Sequence, residues 1–474
     1  MYHNKFEGFK FLKGYRGSDL MQKVFRDPIY NLIAFDKEKD LLLIRLIDTP
    51  EFQRLRRIRQ LGVSWITYPT AEHTRFSHSI GTAFLAGKIF DRLELEEQIT
   101  FKDEDGDHTL SRDQLKLLLQ TTALLHDIGH GPFSHAFETV MEQDHEEWTV
   151  KIITDENTHI NQVFLADDKE LNNVIPYEIR KKFPKWICDI LNGIFDLRYI
   201  NEIISSQLDA DRMDYLLRDA YMCGVKYARF DLDWLINNLY VGKINCEDDR
   251  EGIIVNAEKG VYSLESFIIS RYHMYEQVYF HKTTRAAEQL IQLIFRRLKN
   301  LVDSSEEDKI IPEENTILSL LKNKKTFPVK QYLKLDDFLL ITYIKKWSEE
   351  SKDKILCYLC SNFINRKPYK LFLKDESTLH VGEEWESVIN YFKEKQLDYK
   401  YFYVIDHYTD VPYKDDYLFG KKRSEDADHI WVKYKNGRLV ELAEASDIIK
   451  SLRNNIKGKT RVYCDRKFGP VKLI

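Results

Sequence analysis

The stretch LKLLLQTTALLHDIGHGPFSHAFE, residues 115–138, constrains this chain more than any other. Apolar residues dominate from Leu115 to Leu125, so the spacing predicts a helix buried over most of its circumference. That run leads straight into His126 and Asp127, with His130 and His135 within nine residues of His126. A buried imidazole beside a buried carboxylate is costly unless something pairs with both, and a metal ion does so. His126 and His130 are one helical turn apart and are expected on one face, with Gly129, Gly131 and Pro132 ending the helix. His145 follows at the start of another predicted helix, which places four histidines within twenty residues.

A short motif supplies too few ligands for a mononuclear site, so the rest must come from elsewhere. His78 lies upstream in HTRFSHSIG. Downstream, residues 203–225 predict a helix with Met213, Leu216, Leu217 and Ala220 on one side. Asp211, Tyr215 and Asp219 fall at i, i+4 and i+8 on the other side, with Arg218 beside them. Two imidazoles and two carboxylates suit a borderline divalent ion: iron, manganese, zinc or nickel. Such an ion polarises a phosphoryl group. His130, His135 and His145 can neutralise phosphates or protonate a leaving oxygen, and Glu138 can orient the His135 ring. The chemistry indicated is phosphoester hydrolysis.

Other segments weigh less by themselves. The run EFQRLRRIRQLG, after the capping Asp48-Thr49-Pro50, predicts a helix whose Arg54, Arg56, Arg57 and Arg59 read by default as a solvated face. Residues 102–110 are expected to form an acidic loop. Residues 252–263 predict a short hairpin, and a long helix is expected from about Leu264 to Asn300, carrying a basic line through Arg271, Lys282 and Arg285. Residues 429–445 predict a second hairpin around Lys435-Asn436-Gly437. Cys357 and Cys360 form a CxxC in an apolar run, where core packing is favoured over zinc or redox chemistry. No apolar run is long enough to cross a bilayer and the N-terminus carries no secretory signal, so a cytoplasmic setting is expected. The net charge of −5 gives no support to nucleic-acid binding.

Five longer strings carry a resemblance: DTPEFQRLRRIRQLG, HTRFSHSIGTAFLAG, LLHDIGHGPFSHAFE, DADRMDYLLRDA and SRYHMYEQVYFHK. Together they resemble the HD-domain deoxynucleoside triphosphate triphosphohydrolases. These include bacterial enzymes and the animal enzyme that joins a sterile-alpha-motif domain to an HD domain. The likeness runs from about Lys23 to Arg285, and the bacterial form is the nearer match. It implies a mainly α fold: an HD helical core with small β hairpins and a mixed α/β C-terminal region. The expected divisions are an N-terminal arm (1–22), the core (23–300, with a regulatory segment near 23–60), a linker (301–316) and a C-terminal region (317–474).

The resemblance also implies roles. His78, His126, Asp127 and Asp211 would be the metal ligands, with magnesium accompanying the nucleotide. His135 would protonate the departing 5′ oxygen, supported by Glu138, and His130 and His145 would flank the α-phosphate. Arg75, Arg212 and Lys282 or Arg271 would hold phosphates. Gln60, Leu61, Tyr215 and Asp219 would form the deoxyribose pocket, with Tyr275 and Tyr279 among the substrate-binding residues. Tyr215 crowding the 2′ carbon supplies a reason to reject ribonucleotides. Lys23, Val24, Asp48, Gln53 and Arg56 would bind a regulatory guanine nucleotide between subunits of a homotetramer. The competing readings are another HD-type nucleotide phosphatase or phosphodiesterase, and a non-catalytic nucleotide sensor.

Overall fold

The computed structural model describes residues 22–134, 136–138, 144–244, 251–310, 315–323, 326–374, 390, 393–394, 398–410, 429–453 and 457–465. His135 and the expected N-terminal arm up to residue 21 lie outside them. The described chain begins with an antiparallel hairpin, β1 (Gln22–Asp27) and β2 (Asn31–Asp36). Helix α1 (Leu41–Ile47) follows, and then Thr49 caps α2 (Pro50–Arg54), its hydroxyl accepting from the Phe52 amide. The expected longer helix through the arginines does not form: after Arg54 the chain tightens into a 3₁₀ turn over Leu55–Arg57.

The centre is built by α3 (Arg75–Arg92), α4 (Arg112–Leu125) and the helix Ala210–Cys223, with α3 packed between the other two. Ser111 and Gln114 close a reciprocal capping box at the start of α4. Leu115, Leu117, Leu118, Leu119, Leu124 and Leu125 are all buried, each contributing about 1.5–3 kcal/mol. Thr121 and Thr122 donate their hydroxyls back to the Leu117 and Leu118 carbonyls, at 2.7 and 2.9 Å, and so need no outside partner. The sequence expectation of a helix buried all round holds, and that burial gives the following loop a fixed base. Gly81 lets α3 approach the Ala210–Cys223 helix, because a Cβ there would stand 2.2 Å from Asp214 Oδ1.

Three local expectations are corrected. Residues 102–110 are no loop: β3 (Gln98–Asp103) and β4 (Gly106–Ser111) pair antiparallel, with Gly106 opening β4 at φ 118 directly after the two-residue turn. Residues 257–263 are helical, since the true hairpin is β5 (Leu239–Lys243) with β6 (Glu251–Asn256), and Asn256 caps the helix Ala257–Met274. The long helix to Asn300 is two helices. A π-helical turn over Tyr275–Tyr279 ends the first, and Lys282–Asp303 begins after His281 caps it. π turns often mark functional positions, and this one carries two tyrosines of the candidate site.

The remainder is helical and mixed α/β. Helices Asp337–Glu350 and Lys354–Ile364 pack together. β7 (Lys370–Lys374), β8 (Tyr403–Asp410) and β11 (Lys457–Cys464) form a sheet in the order β7-β11-β8. β9 (Trp431–Lys433) and β10 (Leu439–Glu441) are the hairpin expected around Gly437, and β9 joins β6 in parallel. The CxxC is core packing, with Cys360 fully buried and Cys357 Sγ on the Ser348 carbonyl. The fold is mainly α with small β elements. No helix among the described residues is long and apolar enough to cross a membrane.

Candidate active site

Helix α4 stops at Leu125, one residue before the histidine that caps it. His126 and His130 therefore do not share a helical face, as their spacing suggested. The chain turns between them, and the two rings approach the Asp127 carboxylate from different directions. His126 Nε2 lies 3.4 Å and His130 Nε2 lies 3.2 Å from Asp127 Oδ1. From α3 comes His78, whose Nε2 lies 3.7 Å from Asp127 Oδ2. Asp211 from the Ala210–Cys223 helix closes the group, with Oδ1 at 2.9 Å from His78 Nε2 and 3.5 Å from His126 Nε2.

The donor chemistry fits a cation. His126 Nδ1 lies 2.7 Å from the Ala123 carbonyl, so it carries the proton and donates it. His78 Nδ1 lies 2.8 Å from Asp214 Oδ2 and does the same. Among the described residues both Nε2 atoms are thereby left as bare lone pairs, buried and without a hydrogen-bond donor facing them. They face two carboxylates, an arrangement that only a proton or a metal ion reconciles. A ligand imidazole oriented by a carboxylate or a carbonyl on its other nitrogen is the usual outer shell of a metal site. Ligand atoms of His78, His126 and Asp127 lie within 4.8 Å of one another, as a shared ion requires.

Electrostatics say the same. Burial opposes a charge on His78, yet the Asp211 and Asp214 carboxylates lift it to about 10. His126 is raised against burial by Asp127 and Asp211. Burial works to raise Asp211, but the two histidines hold it well below the carboxylate range.

Chelation is accordingly expected to destabilise the protein, and to do so in a pH-dependent way. With the ion removed, the folded state holds the His78 proton more tightly than the unfolded chain, whose ordinary value is 6.5. That stabilisation is complete below about pH 6.5 and is lost as pH rises towards 10. Melting curves with and without chelator should diverge further at about pH 9 than at about pH 6; a gap that shrinks instead would contradict this.

Beside the metal cluster lies a second group. His130 and His145 stack with centroids 3.7 Å apart, and their Nδ1 atoms lie 3.0 and 3.1 Å from Glu138 Oε1. Burial, Arg75 and His145 push His130 down to about 4, whereas Glu138 raises His145 despite its burial. The surroundings thus shift the two stacked imidazoles in opposite directions, His130 down and His145 up. Arg75 is buried, pairs with Asp127, and directs Nε and Nη2 at Ser134 Oγ, at 3.2 and 2.9 Å.

The stripe read from sequence does face inward. Asp219 is 1% exposed and accepts from Tyr279, whose hydroxyl is 2.8 Å away. Tyr215 packs between the Tyr279 and His78 rings, with centroids 6.2 and 6.5 Å away. Tyr275 meets Tyr279 edge-on, and buried Arg271 lies 5.4 Å over the Tyr275 ring. The Gln60 backbone N–H donates to the His73 carbonyl, and Leu61 packs on the core. Arg212 turns Nε to the Ser206 carbonyl and to Asp209. Lys282 lines a cavity of about 220 Å³ together with Arg366 and Lys370.

The residues assigned to regulation sit at the outer surface. Lys23 Nζ pairs with Asp48 Oδ1 at 2.6 Å, and both line a cleft of about 1310 Å³ with Lys37, Lys39, Arg45 and Lys116. Val24 is exposed on β1. Gln53 links the Ile47 carbonyl to Arg56, whose guanidinium lies 3.5 Å over Phe76.

Several supporting residues escaped the sequence reading. Asp214 orients His78 and is itself held by Arg218, which also binds Asp27. Its position three residues after Asp211 was the available signal. Arg54 is buried, not solvated: it donates to the Ile128, His130 and Leu335 carbonyls at 3.2, 2.7 and 2.8 Å. Asp337 accepts from the Phe133 and Arg59 amides at 2.9 and 3.0 Å. Phe133 and Ser134 take φ of 56 and 48, a left-handed conformation that Asp337 and Arg75 brace.

A helical core that brings two imidazoles and two carboxylates together, beside a buried histidine–glutamate group, defines a metal-binding hydrolase. Residues 75–219 match the HD domain and residues 231–354 match the HD associated region. The chain is 35% identical over 442 residues to the YwfO protein of Bacillus subtilis, covering 93% of this chain and 92% of that one. It belongs to the HD-domain phosphohydrolase family. It is also 29% identical over 305 residues to human deoxynucleoside triphosphate triphosphohydrolase SAMHD1, 59% of this chain and 45% of that protein. The crystal structure of a phosphohydrolase from Bacteroides thetaiotaomicron superposes with a TM-score of 0.72 at 28% identity. The match covers 94% of this chain and all of that one.

Proposed function

We propose that the protein hydrolyses deoxynucleoside triphosphates to the deoxynucleoside and inorganic triphosphate. The observation that carries this reading is the wall from His78 through Tyr215 and Tyr279 to Asp219, which sets a buried, hydrogen-bonded carboxylate next to the metal cluster. His78, His126, Asp127 and Asp211 would hold a divalent ion (manganese, iron, zinc or nickel). When bound, it supplies Lewis-acid polarisation of a phosphoryl oxygen.

The chain's own residues do the rest. Water adds to the α-phosphorus, the bond to the 5′ oxygen breaks, and that oxygen takes up a proton. His135 is assigned the proton by resemblance, with Glu138 orienting it. The stacked His130 and His145, shifted in opposite directions by their surroundings, flank the α-phosphate. Arg75, Arg212, Arg271 and Lys282 balance phosphate charge, Arg75 while it anchors Asp127. Gln60, Leu61 and Asp219 receive the sugar, and the Tyr215 ring excludes a 2′ hydroxyl.

The test is to incubate metal-replete protein with each dNTP and each NTP and to separate the products by chromatography. Triphosphate and deoxynucleoside from dNTPs alone is the expected outcome. Release of pyrophosphate or monophosphate would replace this reading by that of another HD-type nucleotide phosphatase or phosphodiesterase. We further propose that a guanine nucleotide binding at Lys23, Val24, Asp48, Gln53 and Arg56 activates a homotetramer. A rate increase with GTP or dGTP, together with a tetrameric mass by light scattering, is expected. Equal rates would remove the activator.

A further inference from the structure

One buried histidine is used neither by the metal cluster nor by the acid group. His73 lies just ahead of α3 and is 8% exposed. The isolated bridge between Arg59 and Thr74 fixes its backbone, as does the hydrogen bond from the Gln60 amide to its carbonyl at 3.0 Å. Its Nε2 lies 2.7 Å from Asp219 Oδ1, while the Tyr279 hydroxyl donates to Asp219 Oδ2 at 2.8 Å. The carboxylate is thus pinned at both oxygens by donors on different segments, and each oxygen keeps a lone pair to offer.

With its proton on Nε2, His73 presents Nδ1 as a bare acceptor. Among the described residues that atom is buried and has no hydrogen-bond partner, and the same holds for Gln60 Oε1. A bare buried acceptor on a ring that also holds a pinned carboxylate suits a ligand group that donates, and a hydroxyl is a neutral group that does so. A purely structural His–Asp pair would leave no such acceptor exposed to the interior, since buried polar groups are normally satisfied. The place is right as well: Tyr279 packs on Tyr215, and Tyr215 on His78.

We infer that His73 is a positioning residue for sugar-hydroxyl recognition. It holds Asp219 as an acceptor and thereby sets the preference for substrates that carry a 3′ hydroxyl. This rests on the deoxynucleotide reading above. A site built to bond a hydroxyl discriminates strongly against an analogue lacking it, because its acceptors are then left unpaired.

The experiment compares wild type, His73→Gln and His73→Phe on a dNTP and on its 2′,3′-dideoxy counterpart, with thermal melts run alongside. Phenylalanine keeps ring volume and removes the donor; glutamine keeps an N–H that can reach Asp219. The ratio of kcat/KM between the two substrates is expected to fall about 10- to 100-fold in His73→Phe. The loss should fall on the dNTP, with the dideoxy rate little changed, and His73→Gln should recover most of the ratio. A residue that only supported the fold would lower both rates together. If His73→Phe does not fold, His73→Asn, too short to reach Asp219, carries the same comparison. An unchanged ratio in an active variant overturns the role of His73 alone. A wild type that cleaves no dNTP overturns the functional reading and this inference with it.

Discussion

His126→Ala should reduce hydrolysis about a thousandfold or more while leaving the fold intact. Lewis-acid stabilisation of a phosphoryl transition state amounts to several kcal/mol, and each 1.36 kcal/mol is a factor of ten. His126 Nε2 is a bare, buried nitrogen that has only a cation or a proton to serve. Removing the ring takes away one of the two imidazoles and leaves Asp127 and Asp211 facing each other with less positive charge between them. Metal content by elemental analysis should fall with activity, while circular dichroism stays unchanged. A variant that keeps full activity would mean the chemistry does not pass through this cluster. Retained metal with lost activity would limit His126 to a role in catalysis.

Gly129→Ala is expected to produce the largest loss of stability from a single added methyl group. A Cβ at this position would stand 2.2 Å from the His145 carbonyl oxygen and 2.3 Å from the Thr149 amide nitrogen. Those are backbone atoms in the first turns of the helix His145–Thr154, so no side-chain rotation can relieve the contact. The helix must move away, and Thr149 then loses both of its bonds to the loop: the Gly129 amide at 3.0 Å and the His126 carbonyl at 3.1 Å. Overpacking of this kind costs about 3 kcal/mol. The shift also carries His145 off Glu138, so activity should fall together with the denaturation midpoint. A variant with an unchanged midpoint would show that the loop can yield where its neighbours leave no space.

What could be read from the chain depended on how far apart the interacting residues stand. Periodicity placed α4 and the Asp211–Tyr215–Asp219 stripe, because both are properties of one helix. Local capping signals located Thr49, and the Asn-Gly turn located the hairpin at Gly437. The helix end was read one turn too long. His126 satisfies its Nδ1 on the Ala123 carbonyl behind it, and that local bond is invisible to a hydrophobic pattern. The arginines of residues 54–59 were read as solvated because charge on a helix is usually exposed. Arg54 is buried because carbonyls from residues 128, 130 and 335 need a donor, and no local rule shows that. Likewise the π turn over Tyr275–Tyr279 breaks a run that looks continuous in hydropathy.

The guanidinium of Arg54 has a consequence for the order in which this protein can be completed. Its three acceptors are separated from it by 74, 76 and 281 positions along the chain, and Asp337 braces the Phe133 amide across 204. A ribosome that has passed Asp211 has therefore made every candidate metal ligand, but not the residues that hold the loop in its left-handed bend. A nascent chain ending before Leu335 leaves Arg54 with one carbonyl short and Phe133 without its acceptor. The contacts that fix the loop after Asp127 are thus complete only once the chain has passed Asp337. Until then, the loop lacks the acceptor that Asp337 gives the Phe133 amide.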